Sequence, residues 1–217
     1  MIAIVKYNAG NIGSVTNALN RLGIENKVTD DPEELKAADK VIFPGVGEAG
    51  TAMNYLRERG LDQVIKELKQ PVLGICLGMQ LMCSHSEEGD TECLGIFDTT
   101  VKKFPATAGM KVPHMGWNEI GRVKTAISPD KDVIFKNICT LDDINKSSFD
   151  DIRLENDVYY VHSFYAVPNQ DASAICDYIV PFASILNKDN FYAMQFHPEK
   201  SARVGEQLLK NFIAITA

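Results

Sequence analysis

The chain has 217 residues, 45% hydrophobic and 24% charged, a balance that suits a globular protein with one large core. A net charge of −7, with basic residues scattered rather than striped, argues against a nucleic-acid partner. No apolar run approaches a membrane span, and Met1–Tyr7 lacks the basic stretch of a signal peptide, so no membrane partner and a cytoplasmic setting are expected.

In chain order, Ile2–Tyr7 reads as a first strand, followed by the turn-rich loop Asn8–Gly13 and a helix over Ser14–Leu22. Ile24–Val28 is a second strand, and Asp31-Pro-Glu-Glu-Leu opens a short helix with an N-terminal proline and an acidic first turn. Val41–Phe43 is a third strand. Helical patterns follow over Glu48–Arg59 and Leu61–Lys69, then a strand at Val72–Ile75 and a helix beginning at Leu77. Such alternation predicts an α/β fold with an open, mostly parallel sheet flanked by helices, whose ligands bind outside the carboxyl ends of the strands. From about residue 93 the texture changes to short strands: Thr99–Phe104, Trp117–Val123, Val158–His162, Ala172–Cys176, Ala183–Leu186 and Phe191–Phe196. These predict antiparallel strands added to the sheet or covering one side of it. Leu141–Asp157 is polar and reads as a surface excursion, and Ser201–Ile215 closes as an amphipathic helix.

Gly74-Ile-Cys-Leu-Gly78 falls between a strand and a helix. Small residues two positions either side of Cys76 permit the sharp turn of a nucleophile elbow, and a helix N-terminus favours thiolate over thiol. The competing reading is a buried structural cysteine, since free cysteine packs as a small hydrophobe. The other cysteines, Cys83, Cys93, Cys139 and Cys176, lie in apolar or strand-like surroundings. An odd count without C-x-x-C argues against a disulfide framework or a thiolate zinc site. His85, His114, His162 and His197 form no H-x-x-x-H pair, so no metal and no cofactor are expected.

Gln195-Phe-His-Pro-Glu199 offers a base. Residues two apart on an extended segment project to one side, and Pro198 keeps the backbone out of helix, so Glu199 can hold His197 in the tautomer that takes a proton from Cys76. Read alone, the same residues are a loop in which Glu199 favours the following helix dipole and Ser201 caps it. Gly45-Val-Gly-Glu-Ala-Gly50 matches a dinucleotide-binding pattern with Glu67 as a ribose acid, but it follows the third strand rather than the first. Alternatively, Gly45–Gly47 is a tight loop presenting N–H groups to an oxyanion beside Cys76, with Leu77 giving the second donor. Gln80, one helical turn past Cys76, faces an acyl substrate, and Glu88 offers a carboxylate to a substrate amine. His162 reads as a core histidine at a strand end whose following residues offer backbone groups. Trp117 is either core or an interface anchor.

With Cys76, His197 and Glu199 assembled, the sequence resembles the class I (triad-type) glutamine amidotransferases over nearly its whole length. Tyr7–Ser14, Pro44–Gly47, Pro113–Asn118 and Tyr160–Tyr165 are further similar to the glutaminase subunits of imidazole glycerol phosphate synthases. The resemblance implies a flavodoxin-like glutaminase domain spanning residues 1–217. It implies hydrolysis of glutamine through a γ-glutamyl thioester on Cys76, and a (β/α)8-barrel cyclase partner, in a heterodimer, that receives the ammonia. By the same resemblance Val46, Gly47 and Leu77 form the oxyanion hole. Gly47, Gln80, Glu88, Ser163 and Phe164 hold glutamine, while Asn11, Trp117 and Lys200 lie toward the cyclase. The triad fits equally a glutaminase serving another acceptor synthase, or a stand-alone cysteine γ-glutamyl hydrolase or peptidase. A non-enzymatic nucleotide-binding module built on Gly45–Gly50 is the third possibility.

Overall fold

The computed structural model describes residues 1–8, 10–122, 134–136 and 157–216. Through Met82 strands and helices alternate: β1 (Ile2–Val5), α1 (Ile12–Arg21), β2 (Asn26–Thr29), α2 (Pro32–Ala37), β3 (Lys40–Phe43), α3 (Ala49–Glu58), α4 (Leu61–Glu67), β4 (Val72–Ile75) and α5 (Leu77–Met82). Shorter strands follow: β5 (His85–Ser86), β6 (Thr91–Glu92), β7 (Thr100–Lys103), β8 (His114–Glu119), β9 (Gly121–Arg122), β10 (Asp157–His162) and β11 (Phe164–Ala166). Then come β12 (Ala172–Asp177), β13 (Pro181–Lys188), β14 (Phe191–Met194) and the closing helix α6 (Ala202–Ala214).

The eight-stranded central sheet has the order β2-β1-β3-β4-β14-β13-β12-β9. Pairing is parallel from β2 through β14 and antiparallel beyond it. Parallel strands are buried on both faces, which is why β1 and β4 read as unbroken apolar runs. Ala3, Val5, Val41 and Phe43 pack toward α2–α5, whereas Ile2, Ile4, Ile42, Leu73 and Ile75 pack toward α1 and α6. The second half divides as its texture suggests. β12, β13 and β9 extend the main sheet, while β11-β7-β5-β6 form a four-stranded sheet and β8 pairs with β10.

Several boundaries differ from the sequence reading. The strand expected over Trp117–Val123 begins earlier, at His114, and is interrupted at the fully buried Ile120, with Arg122 its last described residue. β5, β6 and β11 are two or three residues long, too short to carry a periodic signal. Residues 141–156 of the acidic excursion and Cys139 lie outside the described residues; Asp157 opens β10. Asp31 does cap α2, accepting the Glu33 and Glu34 N–H groups at 2.8 and 3.3 Å.

One close approach sets the position of α5. A Cβ on Gly78 would lie 1.8 Å from the Phe43 carbonyl oxygen, so the first turn of α5 rests on the carboxyl end of β3 with no room for a side chain. Gly78→Ala is therefore expected to push α5 off the sheet and cost roughly 1–3 kcal/mol of stability, the range for overpacking, read as a fall in urea midpoint.

Candidate active site

Between the last residue of β4 and the first of α5 stands Cys76, with φ 53° and ψ −108°. A non-glycine residue at positive φ is strained by about 1–3 kcal/mol and persists only where its surroundings fix it. Here they do. The Cys76 N–H donates to the Met194 carbonyl at 2.8 Å, and its own carbonyl accepts from the Gln80 N–H at 3.1 Å. The cysteine is thus both buried and placed as an elbow, which reconciles the two readings of its sequence.

β14 lies beside β4 in parallel, with Met194 in register with Ile75, so the residues after β14 run past Cys76. His197 Nδ1 lies 2.8 Å from Glu199 Oε1, and both side chains are fully buried. Since a carboxylate only accepts, Nδ1 carries the proton, leaving the buried Nε2, which has no hydrogen-bond partner among the described residues, as the uncommitted nitrogen. Burial is the largest single influence on His197 and works to lower its pKa. Hydrogen bonding and charge from Cys76 and Glu199 together outweigh burial and raise the pKa to about 9.

The backbone of this segment is pinned. His197 N–H donates to the Tyr159 carbonyl at 2.9 Å, and the Ser201 hydroxyl donates to the His197 carbonyl at 2.6 Å. The same hydroxyl accepts the Tyr159 N–H at 2.9 Å, so Ser201 ties His197 to β10 rather than capping α6 with its side chain. Asn11, a residue the sequence assigns only to a partner surface, donates its amide N–H to Glu199 Oε1. It is half-buried and sits in the left-handed turn that opens α1, a placement with no local sequence signal.

A cavity of about 270 Å³ adjoins Cys76. It is lined by Val46, Gly47, Leu77, Gln80, Glu88, Ser163 and Phe164, every residue expected to touch substrate or oxyanion, together with Pro113, Val161 and His162. Gln80 Nε2 donates to the Phe164 carbonyl at 2.8 Å and to Gln195 Oε1 at 3.1 Å, so its nitrogen is committed within the protein and its oxygen is left to a ligand. Glu88 accepts the Ala49 N–H at 2.9 Å; burial raises its pKa, with the Ala49 bond opposing and Glu48 reinforcing the shift. His162 Nδ1 donates to the same Phe164 carbonyl at 2.7 Å, and burial pushes its pKa down to about 3, so the ring is neutral. A larger cavity of about 340 Å³ between α1 and α6 touches Glu199 but contains no nucleophile.

The oxyanion donors differ from expectation. Leu77 N–H donates to the Gly45 carbonyl at 3.2 Å, and the Val46 carbonyl accepts from Gly10 N–H at 3.1 Å. Gly45 is held by Tyr7: a Cβ there would fall 2.0 Å from the Tyr7 hydroxyl, which itself donates to the Pro44 carbonyl at 2.7 Å. One expected donor is therefore occupied by the loop expected to supply the other. Glu67, the acid of the dinucleotide reading, is exposed at the end of α4, away from this cavity. Trp117 is exposed and packs edge-on against Tyr159 at 6.0 Å, close to the segment carrying the exposed Lys200. Cys83, Cys93 and Cys176 are buried free thiols, with burial raising the pKa of each. Among the described residues no cluster suits a metal, and no helix is long and apolar enough to cross a membrane.

The family model for class-I glutamine amidotransferases matches residues 4–215, and the chain belongs to that family. It is 54% identical to the imidazole glycerol phosphate synthase subunit HisH of Bacteroides thetaiotaomicron, over 98% of both chains. To the protein of the same name from Bacteroides fragilis (strain ATCC 25285) it is 55% identical over 99% of both. Among solved structures, a putative GMP synthase protein from Thermoplasma acidophilum matches with a TM-score of 0.66 at 20% identity, covering 98% of this chain and 92% of that one. PurLQS from Thermotoga maritima matches with a TM-score of 0.65 at 15% identity, covering 98% and 96%. These two likenesses confirm the fold.

Because the folded His197 pKa lies above the ordinary 6.5, the stability it contributes is complete below about pH 6.5 and is lost as pH rises through about 9. In an NMR titration the His197 ring is expected to change charge near pH 9, and Glu199→Gln to bring that midpoint down. An unchanged midpoint in the variant would show that Glu199 does not hold the imidazolium.

Proposed function

We propose that the chain hydrolyses L-glutamine to L-glutamate and ammonia, using residues 1–217 as one glutaminase domain. The observation that carries this reading is a strained, elbow-placed Cys76 opening on one amino-acid-sized cavity, with the buried His197–Glu199 pair on the segment that follows the neighbouring β14. His197 Nε2 takes the Cys76 proton, and the sulfur attacks the carboxamide carbon to form a tetrahedral intermediate. His197 gives that proton to the leaving nitrogen, releasing ammonia and a γ-glutamyl thioester. Water, deprotonated by His197, then attacks the thioester carbon; the sulfur leaves and glutamate departs. Glu199 orients the ring and stabilises its charge, and Asn11 steadies Glu199. Glu88 is the acceptor for the substrate α-ammonium, and Gln80 Oε1 for a substrate N–H. Gly47, Ser163 and Phe164 complete the cradle.

The oxyanion needs donors, which fall to Val46, Gly47 and Leu77. Leu77 N–H becomes available only when the Gly45 carbonyl leaves it. A missing oxyanion donor costs a factor of about 10²–10³ in kcat, so the conformation described is a resting one.

The family and the HisH relatives support delivery of the ammonia to a cyclase subunit in histidine biosynthesis. The partner we propose is a (β/α)8-barrel forming a heterodimer with this chain, both in the cytoplasm. Trp117, Lys200 and the neighbourhood of Asn11 are its docking face. Met115 and Trp117 are 67% and 53% exposed, an apolar pair two apart on β8 and so on one face of it. Through Tyr159 that surface touches the backbone that holds His197.

Cys76→Ala is expected to abolish glutaminase activity while still co-purifying with the cyclase; an active variant would rule out the thioester route. The isolated wild-type chain is expected to turn over slowly and to be stimulated by the acceptor-bound cyclase, and full activity alone would contradict the coupling. Trp117→Ala is expected to weaken cyclase binding roughly tenfold or more, measured calorimetrically.

A further inference from the structure

Gln195 is fully buried just past the end of β14, two residues before His197. Three side-chain contacts connect it to the nucleophile, and carbonyl chemistry dictates their direction. The Phe164 carbonyl only accepts, so Gln80 turns its nitrogen toward it, at 2.8 Å. That nitrogen, which only donates, also lies 3.1 Å from the Gln195 side chain, which must meet it with oxygen. The Gln195 nitrogen is then left facing Cys76 Sγ, at 3.8 Å. Turning over Gln80 would set acceptor against acceptor, and turning over Gln195 would set donor against donor. A buried amide N–H needs a partner, and among the described residues the sulfur is the one this nitrogen has.

Resting on the reading of Cys76 as nucleophile, we infer that Gln195 is a positioning residue for it: its amide, oriented through Gln80 by the Phe164 carbonyl, presents an N–H that holds the sulfur in place and favours the thiolate. A hydrogen bond to an anionic sulfur is stronger than one to a neutral thiol, so the fixed donor selects between the two states. The same N–H acts again when the thioester is cleaved: the carbon–sulfur bond breaks, the electron pair returns to sulfur, and the donor receives it as the proton returns from His197. The opposing contact is the Val161 carbonyl, 4.0 Å from Sγ, which can only accept a thiol proton. The titratable groups around the sulfur are His197 beyond β14, with Glu199 behind it, and Tyr7 beyond β1, while neutral His162 on β10 lines the same cavity. Of these, His197 exchanges a proton with the sulfur, whereas the Gln195 amide is a donor that keeps its hydrogens throughout.

The test is the rate of Cys76 alkylation by iodoacetamide against pH, with the modified residue identified by peptide mapping. Gln195→Leu is expected to move the midpoint up by roughly one pH unit, and to slow alkylation near neutral pH by about tenfold. Gln80→Leu, which frees the Gln195 amide to turn over, is expected to move the midpoint the same way. Either variant must retain the wild-type near-ultraviolet circular dichroism to be read. The wild type supplies a measurement that needs no variant. The Gln195 side-chain NH₂ resonance is expected to shift with pH at the alkylation midpoint, and that shift is expected to vanish in Cys76→Ala. An unchanged alkylation profile in folded Gln195→Leu, or an NH₂ resonance that does not follow the cysteine, would overturn the inference. Neither readout involves glutamine turnover. Loss of the proposed glutaminase function would appear instead as activity surviving in Cys76→Ala.

Discussion

The placement of this site depends on how closely α5 approaches the carboxyl end of β3. With the Gly78 Cα against the Phe43 carbonyl, the helix must begin within one residue of the end of β4. That residue is Cys76, and it makes the turn at positive φ. Gly74 serves the same contact from the strand side, since a Cβ there would lie 2.8 Å from the Met82 sulfur and 3.0 Å from the Met79 nitrogen. The spacing Gly-x-Cys-x-Gly is therefore a statement about packing before it is one about chemistry. Exposure of the sulfur to the cavity is the by-product of a helix fitted tightly to a sheet.

Parallel pairing supplies the rest of the arrangement. β1, β3, β4 and β14 all point the same way, so the Asn11 turn, the Pro44–Gly47 loop, Cys76 and His197 emerge at one end of the sheet. No single loop needs to be long, because the sheet has already brought the four together. The charges are then managed locally. Glu199 and His197 are both fully buried, an arrangement that is costly for either alone. Each satisfies the other, and the Asn11 amide stabilises the carboxylate further.

The fold and the candidate residues Cys76, His197 and Glu199 were legible because their signals are local: alternating apolar runs, glycines flanking a cysteine, and a His-Pro-Glu run. His197 and Glu199 do meet, but not on the extended segment expected, since Pro198–Lys200 forms a 3-10 helix with His197 at its start. Every expected cavity residue from Val46 to Phe164 also lines the cavity. Two features were not legible, for different reasons. The Asn11–Glu199 bond joins positions 188 residues apart and has no pattern that could announce it. Gln195 did have a signal: it directly follows the buried strand β14, which runs beside the strand that leads into Cys76. A buried amide closing an apolar strand is the kind of polar residue that a core does not hold without a use. The occupied Leu77 N–H was beyond reach because it is a question of conformation, and one sequence serves both the free and the occupied donor.

That occupied donor is consistent with a glutaminase whose product is meant for another subunit. Ammonia released without an acceptor is lost, so a chain of this kind gains from being slow when alone. The device here lies outside these side chains: His197 already holds Glu199, and Gln195 already faces the Cys76 sulfur. In the mechanism proposed above, what is withheld is an oxyanion donor, the Leu77 N–H, held by the Gly45 carbonyl. Tyr7 holds the adjoining Pro44 carbonyl and so limits how the loop can move, leaving Gly45–Gly47 as the stretch able to turn. A glycine pair tolerates such a change of backbone where other residues would resist it. Withholding a donor is also readily reversed, since the nucleophile, base and substrate cradle need no rebuilding when the loop turns.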